Sequence, residues 1–245
     1  MIDIMSKIQQ LQEIIDTSDN IVFFGGAGVS TESGIPDFRS ESGIFKSLEK
    51  YGDTPENLVS HTYYRRHTEE FFEYYKDTLV FNDAEPNPAH LKLAELEQNG
   101  KLKAVITQNI DGLHQKAGSK NVLELHGSIH RNYCEFCNKA YPLEYILESD
   151  GIPRCDCGGI IKPDVVLYEE PLNNTILAYS IDYIQNADTL IIGGTSLVVY
   201  PAAGLINYFN GDNLVLINKS PTPYDGMAKL VINEAIGETL SQIKV

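Results

Sequence analysis

Seven short apolar runs constrain the fold of this chain more than any other feature. They stand at residues 21–24, 104–107, 122–125, 165–168, 189–192, 214–217 and 230–232 and are rich in Val, Ile and Leu. Runs this short and this apolar suit strands buried on both faces, as in a parallel sheet. Helical spacing separates several of them, at 89–97 and 176–185. An amphipathic segment built on Met5, Ile8, Leu11, Ile14 and Ile15 precedes the first, up to about Ser18. Alternating strand and helix predicts an α/β domain with a parallel sheet.

Two stretches break this rhythm. Residues from about 38 to 85 are aromatic, charged and helical in pattern, at 55–64 and 69–79, and residues from about 131 to 162 hold the cysteines and many turn residues. Both read as insertions that form a smaller domain over the sheet. The expected division is 1–37 with 86–130 and 163–245 in the larger domain, 38–85 as the helical part of the smaller one, and 131–162 as its metal-binding part. Ligands of open α/β sheets bind beyond the carboxyl ends of the strands, which places the site in the cleft between the two.

The strand ends carry polar clusters. The first run leads into Gly26-Ala27-Gly28-Val29-Ser30, then Ile35-Pro36-Asp37-Phe38-Arg39. A bare backbone followed by a helix near Val29 aims N–H groups at an anion, normally a phosphate. Asp37, Phe38 and Arg39 add a carboxylate, an aromatic ring and a guanidinium that a plain turn does not need. No third glycine fits the dehydrogenase pattern, and no acidic residue stands about 20 positions on for a ribose, which disfavours an ordinary dehydrogenase. The second run opens onto Thr107-Gln108-Asn109-Ile110-Asp111, polar groups able to bind a carboxamide and hydroxyls. The third ends at His126-Gly127, a possible general base. Gly193-Gly194-Thr195-Ser196 and Asn218 close two later runs and offer phosphate or ribose contacts. Each cluster alone has a bland reading as a turn, a cap or a structural histidine. Their convergence on one sheet edge favours a site.

All four cysteines fall in one stretch, Cys134-x-x-Cys137 and Cys155-x-Cys157. The chain begins without a basic-then-apolar leader and has no apolar run near the roughly 20 residues of a membrane span, so a cytosolic setting is expected. In a reducing compartment four clustered thiols read as a structural zinc site before disulfides. The one-residue gap of the second pair departs from the usual two. A net charge of −15 argues against nucleic acid and anionic lipid as partners. It favours encounter with basic proteins, or simply keeps the chain soluble.

In this order the motifs resemble the sirtuin family over nearly the whole chain, from about residue 8 to 240. The resemblance implies a Rossmann-like domain with a smaller zinc-binding and helical domain. It implies an enzyme that consumes NAD to remove acetyl groups from protein lysines, giving nicotinamide, O-acetyl-ADP-ribose and the free lysine. It places Gly26, Ala27, Gly28 and Ser30 at the diphosphate. It places Ile35, Asp37, Asn109, Ile110 and Asp111 at the nicotinamide, and Phe38, Arg39 and Gln108 at the reacting ribose. Gly194, Thr195, Ser196, Asn218 and Ile236 fall at the adenosine end. His126 is implied as the general base, aided by Asn109 and Asp111. An acetyl-lysine peptide is expected to add as a strand along Val166, Leu167 and Tyr168 on one side and near Val198 on the other, on a monomeric protein. Two departures stand out. Glu169 occupies a position where relatives carry glycine, and its charge favours basic residues beside the acyl-lysine. Phe72 and Tyr75 occupy the places where relatives that prefer acidic acyl groups carry Tyr-x-x-Arg, so neutral acyl groups are expected. The rival readings are an ADP-ribosyltransferase or NAD hydrolase on the same scaffold, and a non-catalytic NAD sensor.

Overall fold

The computed structural model of the chain describes residues 2–37 and 41–245. Among these, nine strands form two sheets: β1 (Ile21–Gly25), β2 (Leu102–Thr107), β3 (Val122–Glu124), β4 (Gly127–Cys134), β5 (Ala140–Tyr141), β6 (Ile161–Val165), β7 (Thr189–Gly193), β8 (Asn213–Ile217) and β9 (Leu230–Ile232). Six of them make a parallel sheet in the order β3-β2-β1-β7-β8-β9. Strands therefore step one way from β1 to β3 and the other way from β7 to β9. The sheet switches direction between β1 and β7, and that switch opens the crevice for a ligand.

Side chains alternate across the sheet, and both faces are covered. Ile21, Phe23, Val105, Ile191 and Val215 pack with Leu11, Ile15, Leu93 and Leu240 on one face. Val22, Phe24, Ile106, Ile192 and Leu216 pack with Ile184 and Leu205 on the other. This double burial explains why the runs carry no polar alternation. The first helix, Ile2–Thr17, buries Leu11, Ile14 and Ile15, and Lys101 Nζ donates to the carbonyls of Asp16 and Ser18 at its carboxyl end. Helix Pro88–Gln98 opens with proline in its first turn and an Asn87 capping box, and Asn174–Asn186 opens on an Asn173 cap. Among the described residues no helix is long and apolar enough to cross a membrane.

The second sheet, β5-β4-β6, is antiparallel and carries its own core. Leu58, Tyr64, Phe71, Phe72, Tyr74 and Tyr75 pack there against Ile129, Tyr141, Ile146, Ile161 and Val165. Three expectations are corrected here. Residues 165–168 are not a strand of the parallel sheet: Val165 ends β6, and Tyr168 makes an isolated parallel bridge to Ser60. A four-residue apolar run reports burial, not partner. No α-helix begins near Val29. Two short 3₁₀ turns, Ala27–Val29 and Thr31–Ser33, stand there and end at Gly34 with φ +83°. The expected helices at 55–64 and 69–79 break into Pro55–Leu58, His61–Arg66 and Thr68–Tyr74, the last running into a π turn at Tyr75–Leu79.

Candidate active site

The carboxyl ends of β1 and β7 meet at the switch point through glycine. Gly26 N–H donates to the Gly193 carbonyl at 3.3 Å and Gly28 N–H to the Gly194 carbonyl at 2.8 Å. A Cβ on Gly28 would fall 2.7 Å from Gly194 Cα, and Gly194 itself sits at φ +58°. Two loops can approach this closely only without side chains. Their glycines thus serve mutual packing and bring Ala27 and Ser30 to the face of the cleft.

The cleft gathers Ala27, Ser30, Ile35, Gln108, Asn109, Ile110, Asp111 and His126. Ser30 Oγ donates to Asp111 Oδ2 at 2.7 Å and accepts from Asn109 Nδ2 at 3.0 Å. The other Asp111 oxygen takes the Leu113 N–H at 2.9 Å. Residues eighty positions apart are thereby locked into one polar wall. Gln108 Nε2 donates to Thr195 Oγ1 at 3.1 Å, which ties the β2 end to the β7 end. His126 stands between β3 and β4, half-buried, with Nδ1 2.9 Å from the Gln108 carbonyl. A carbonyl only accepts, so Nδ1 carries a proton, and in the neutral imidazole the lone pair is on Nε2. The tight start of β4 holds this histidine in place. Gly127 lies at φ +76°, where a Cβ would be 1.8 Å from the Asp164 carbonyl oxygen.

The remaining expected residues lie around this centre. Gly26, Gly28, Gly194 and Thr195 form the layer behind Ala27. Ile236 is buried with its side chain against Gly193, Asn218 is half-buried at the end of β8, and Ser196 is exposed. None of these lines the same cleft. Asp37 is half-buried, and Phe38 and Arg39 fall outside the described residues.

A second wall consists of Val166, Leu167, Tyr168, Glu169 and Glu170, faced by Val199, Tyr200 and Pro201. Val166 N–H donates to the His126 carbonyl, and Tyr168 is bonded through both N–H and C=O to Val59 and His61. Val198 is 60% exposed beside this opening but does not line it. Val59, Thr78, Leu79, Phe81 and Leu172 also line it. No local pattern marks these five: Val59, Thr78 and Leu79 stand in stretches that read as helical core, and Phe81 and Leu172 in connecting segments.

The four cysteine sulfurs lie within 4.8 Å of one another. Cys134–Cys157 and Cys137–Cys155 are each 3.5 Å apart, close to the roughly 3.8 Å spacing of four sulfurs about 2.3 Å from one tetrahedral zinc. Both members of the Cys155-x-Cys157 pair take part. Phe136 and Cys137 N–H groups donate to Cys134 Sγ, and Tyr141 Oη donates to Cys155 Sγ at 3.0 Å. Donors aimed at sulfur fit a thiolate cluster that holds a metal. Gly159 closes the cluster, since a Cβ there would reach 2.6 Å from Cys134 Sγ.

Comparison with known proteins agrees with this geometry. The Sir2 family pattern matches residues 26–201. The chain is 63% identical over 239 residues to the NAD-dependent protein deacetylase of Clostridium perfringens, covering 97% of this chain and 98% of that protein. It is 60% identical over 242 residues to that of Clostridium acetobutylicum, covering 98% and 99%. A Sir2 structure with deacetylated p53 peptide and 3′-O-acetyl ADP ribose superposes with a TM-score of 0.88 at 40% identity, covering 96% of each chain. A Sir2 complex with p53 peptide and NAD⁺ gives 0.86 at 39%, covering 96% and 95%. A parallel sheet with a glycine-packed switch point, a polar wall around Ser30 and Asp111, and a four-cysteine cluster thus occur together here as a member of the Sir2 family.

Proposed function

We propose that this protein removes acetyl groups from protein lysines at the expense of NAD, releasing nicotinamide, O-acetyl-ADP-ribose and the free lysine. The single observation that carries the reading is His126, fixed through Nδ1 to the Gln108 carbonyl beside the Ser30–Asn109–Asp111 wall, in one cleft with the Val166–Tyr168 edge. Relatives of about 60% identity named as NAD-dependent protein deacetylases support it.

When bound, NAD supplies the ribose carbon from which nicotinamide departs and to which the acyl oxygen bonds. The chain's own part is to position, to exclude water and to move a proton. Asn109 and Asp111, with Ile35, Asp37 and the Ile110 backbone, would hold the carboxamide end. Gln108 would orient the reacting ribose, and Gly26, Ala27, Gly28 and Ser30 the diphosphate. Gly194, Thr195, Ser196, Asn218 and Ile236 would surround the adenosine. His126 Nε2 would then take a proton from a ribose hydroxyl as that oxygen attacks the acyl carbon. Val166, Leu167, Tyr168 and Val198 would pair with the main chain of the acetyl-lysine peptide, which gives affinity with loose sequence selectivity. Cys134, Cys137, Cys155 and Cys157 would hold one zinc with no open position, so its role is structural. The division into 1–37 with 86–130 and 163–245, 38–85, and 131–162 is part of this reading and is supported by two sheets with separate cores.

One assay tests the proposal. Purified protein is incubated with NAD and an acetyl-lysine peptide, or with NAD alone, and the products are resolved by mass spectrometry. Formation of O-acetyl-ADP-ribose and nicotinamide only with the peptide is expected. Nicotinamide release without peptide would favour an NAD hydrolase, and ADP-ribose attached to protein would favour a transferase.

A further inference from the structure

Glu169 occupies an unusual backbone position for a residue with a side chain. It lies at φ +75°, in the left-handed region that favours glycine. Its carboxylate is engaged within the chain. Glu169 Oε2 accepts from Thr62 N–H at 2.9 Å and from Thr62 Oγ1 at 2.7 Å. Thr62 lies in the first turn of helix His61–Arg66, where free N–H groups need acceptors and where negative charge is favoured. The Ser60 hydroxyl takes the Tyr63 N–H of that turn, so Glu169 completes the cap from another part of the chain.

The neighbouring contacts join the same two segments. Tyr168 N–H donates to the Val59 carbonyl at 3.0 Å, and His61 N–H to the Tyr168 carbonyl at 2.9 Å. Glu170 places Oε1 2.9 Å from His61 Nδ1 and accepts from Leu167 N–H and Lys162 Nζ through Oε2. Val59 lies on one side of this seam and Val166 on the other, and both line the cleft.

We propose that Glu169 is a positioning residue for the acyl-lysine peptide: its carboxylate clamps the Val166–Tyr168 edge to the start of helix His61–Arg66 and so fixes the width of the channel between Val59 and Val166. This rests on the peptide-docking reading above. It replaces the expectation that the Glu169 charge selects basic residues in the substrate. A strained backbone persists where the surroundings over-determine it, and here the two Thr62 bonds do so.

The test measures binding of a fluorescein-labelled acetyl-lysine peptide by anisotropy, with thermal unfolding in parallel, for wild type, Glu169→Ala, Glu169→Gly and Glu169→Gln. Two peptides are used, one with arginine and one with alanine beside the acetyl-lysine. Glu169→Ala and Glu169→Gly should each weaken both peptides by about fivefold, the loss of an exposed charge-assisted pair. Glu169→Gly should do so although it relieves the backbone strain. Glu169→Gln keeps an acceptor for Thr62 and should restore most of the affinity for both peptides. The KM for NAD should not move in any variant. Weaker binding of the arginine peptide alone in Glu169→Gln would overturn the clamp in favour of direct charge recognition. Lower thermal stability in Glu169→Ala with unchanged peptide affinity would also overturn it, leaving a merely structural cap. Peptide binding by wild type without acetyl transfer would overturn the proposed function and leave the clamp standing. No peptide binding by wild type would overturn both.

Discussion

The main-chain carbonyl of Gln108 and the imidazole of His126 are joined by one hydrogen bond of 2.9 Å, which assigns the proton to Nδ1. Gln108 leaves the end of β2 and His126 follows β3, adjacent strands of the sheet. The sheet register therefore sets the tautomer of the candidate base. His126→Ala should lower the rate of O-acetyl-ADP-ribose formation by about 10²–10⁴-fold, the usual loss on removing a positioned base. Nicotinamide release precedes the proton transfer and should fall less. Comparing nicotinamide exchange with acetyl transfer in the variant checks the assignment. An equal loss in both would place His126 in binding, not in proton transfer.

Acyl selectivity follows from the lining of the cleft. Among the described residues its lining includes the acidic Asp111, Glu169 and Glu170 and no lysine or arginine. The helix residues matched to the Tyr-x-x-Arg positions, Phe72 and Tyr75, are 1% and 0% exposed in the second core and do not reach the cleft. Succinyl-lysine would bring a carboxylate to an apolar, negatively flanked wall with no partner. Its kcat/KM should lie at least about tenfold below that of acetyl-lysine, corresponding to about 1.4 kcal/mol. Paired peptides of one sequence with the two acyl groups decide the point, and equal turnover would refute it.

Much of the site was legible because strand ends are where apolar runs stop and polar residues begin. Gln108, Asn109, Asp111 and His126 declare themselves in this way, and Cys134 through Cys157 by spacing. The alternation that signals the parallel sheet also holds, with boundaries moved by one or two residues at Leu102 and Gly25. What stayed hidden depends on contacts between distant segments. Val165–Tyr168 reads like the other apolar runs, yet its partners are the His126 carbonyl and the turn at Val59–His61, which no local pattern encodes. Gly28 also packs against the end of β7, with its N–H on the Gly194 carbonyl, a contact between distant segments that the local glycine pattern does not show. The bonds of Glu169 to Thr62 join segments 107 positions apart, so no local pattern shows them.

The four-cysteine cluster gives a prediction that does not depend on catalysis. Tyr141 is buried and its hydroxyl donates to Cys155 Sγ, while Lys139 Nζ stands over the Tyr141 ring at 5.1 Å. Outer-shell donors of this kind hold a metal ligand in place and typically change affinity by about 10–100-fold. Tyr141→Phe keeps the packing of the ring and removes the donor. It should lose zinc to a chromogenic chelator about tenfold faster or more, with circular dichroism unchanged before chelation. Full removal of zinc should unfold the β5-β4-β6 sheet, because that metal joins β4 to the turn before β6. Zinc release at the wild-type rate in Tyr141→Phe would show that this hydroxyl does not support the cluster.

Acid sensitivity should come from a buried histidine pair behind the polar wall. His90 and His114 pack edge to face with ring centroids 4.7 Å apart, and both are essentially inaccessible. The Asn87 N–H donates to His90 Nδ1 at 3.2 Å. Among the described residues no protein group hydrogen-bonds His90 Nε2 or either nitrogen of His114. Burial pushes His90 down to about 4, against a weaker upward pull from Asp111 and Glu32. Burial, and then the neighbouring His90, holds His114 well below its ordinary value. Both folded values are depressed, so the unfolded chain binds more protons below about pH 6.5. Stability is therefore full above that pH and falls as the pH drops toward 4, by up to about 1.4 kcal/mol per pH unit for each histidine. Urea unfolding between pH 8 and pH 5 should show this slope. His114→Phe keeps an aromatic ring beside His90 and Phe23 and removes one protonation site. It should cost little at pH 8 and remove about half of the slope, while an unchanged slope would assign the acid sensitivity to the paired carboxylates instead.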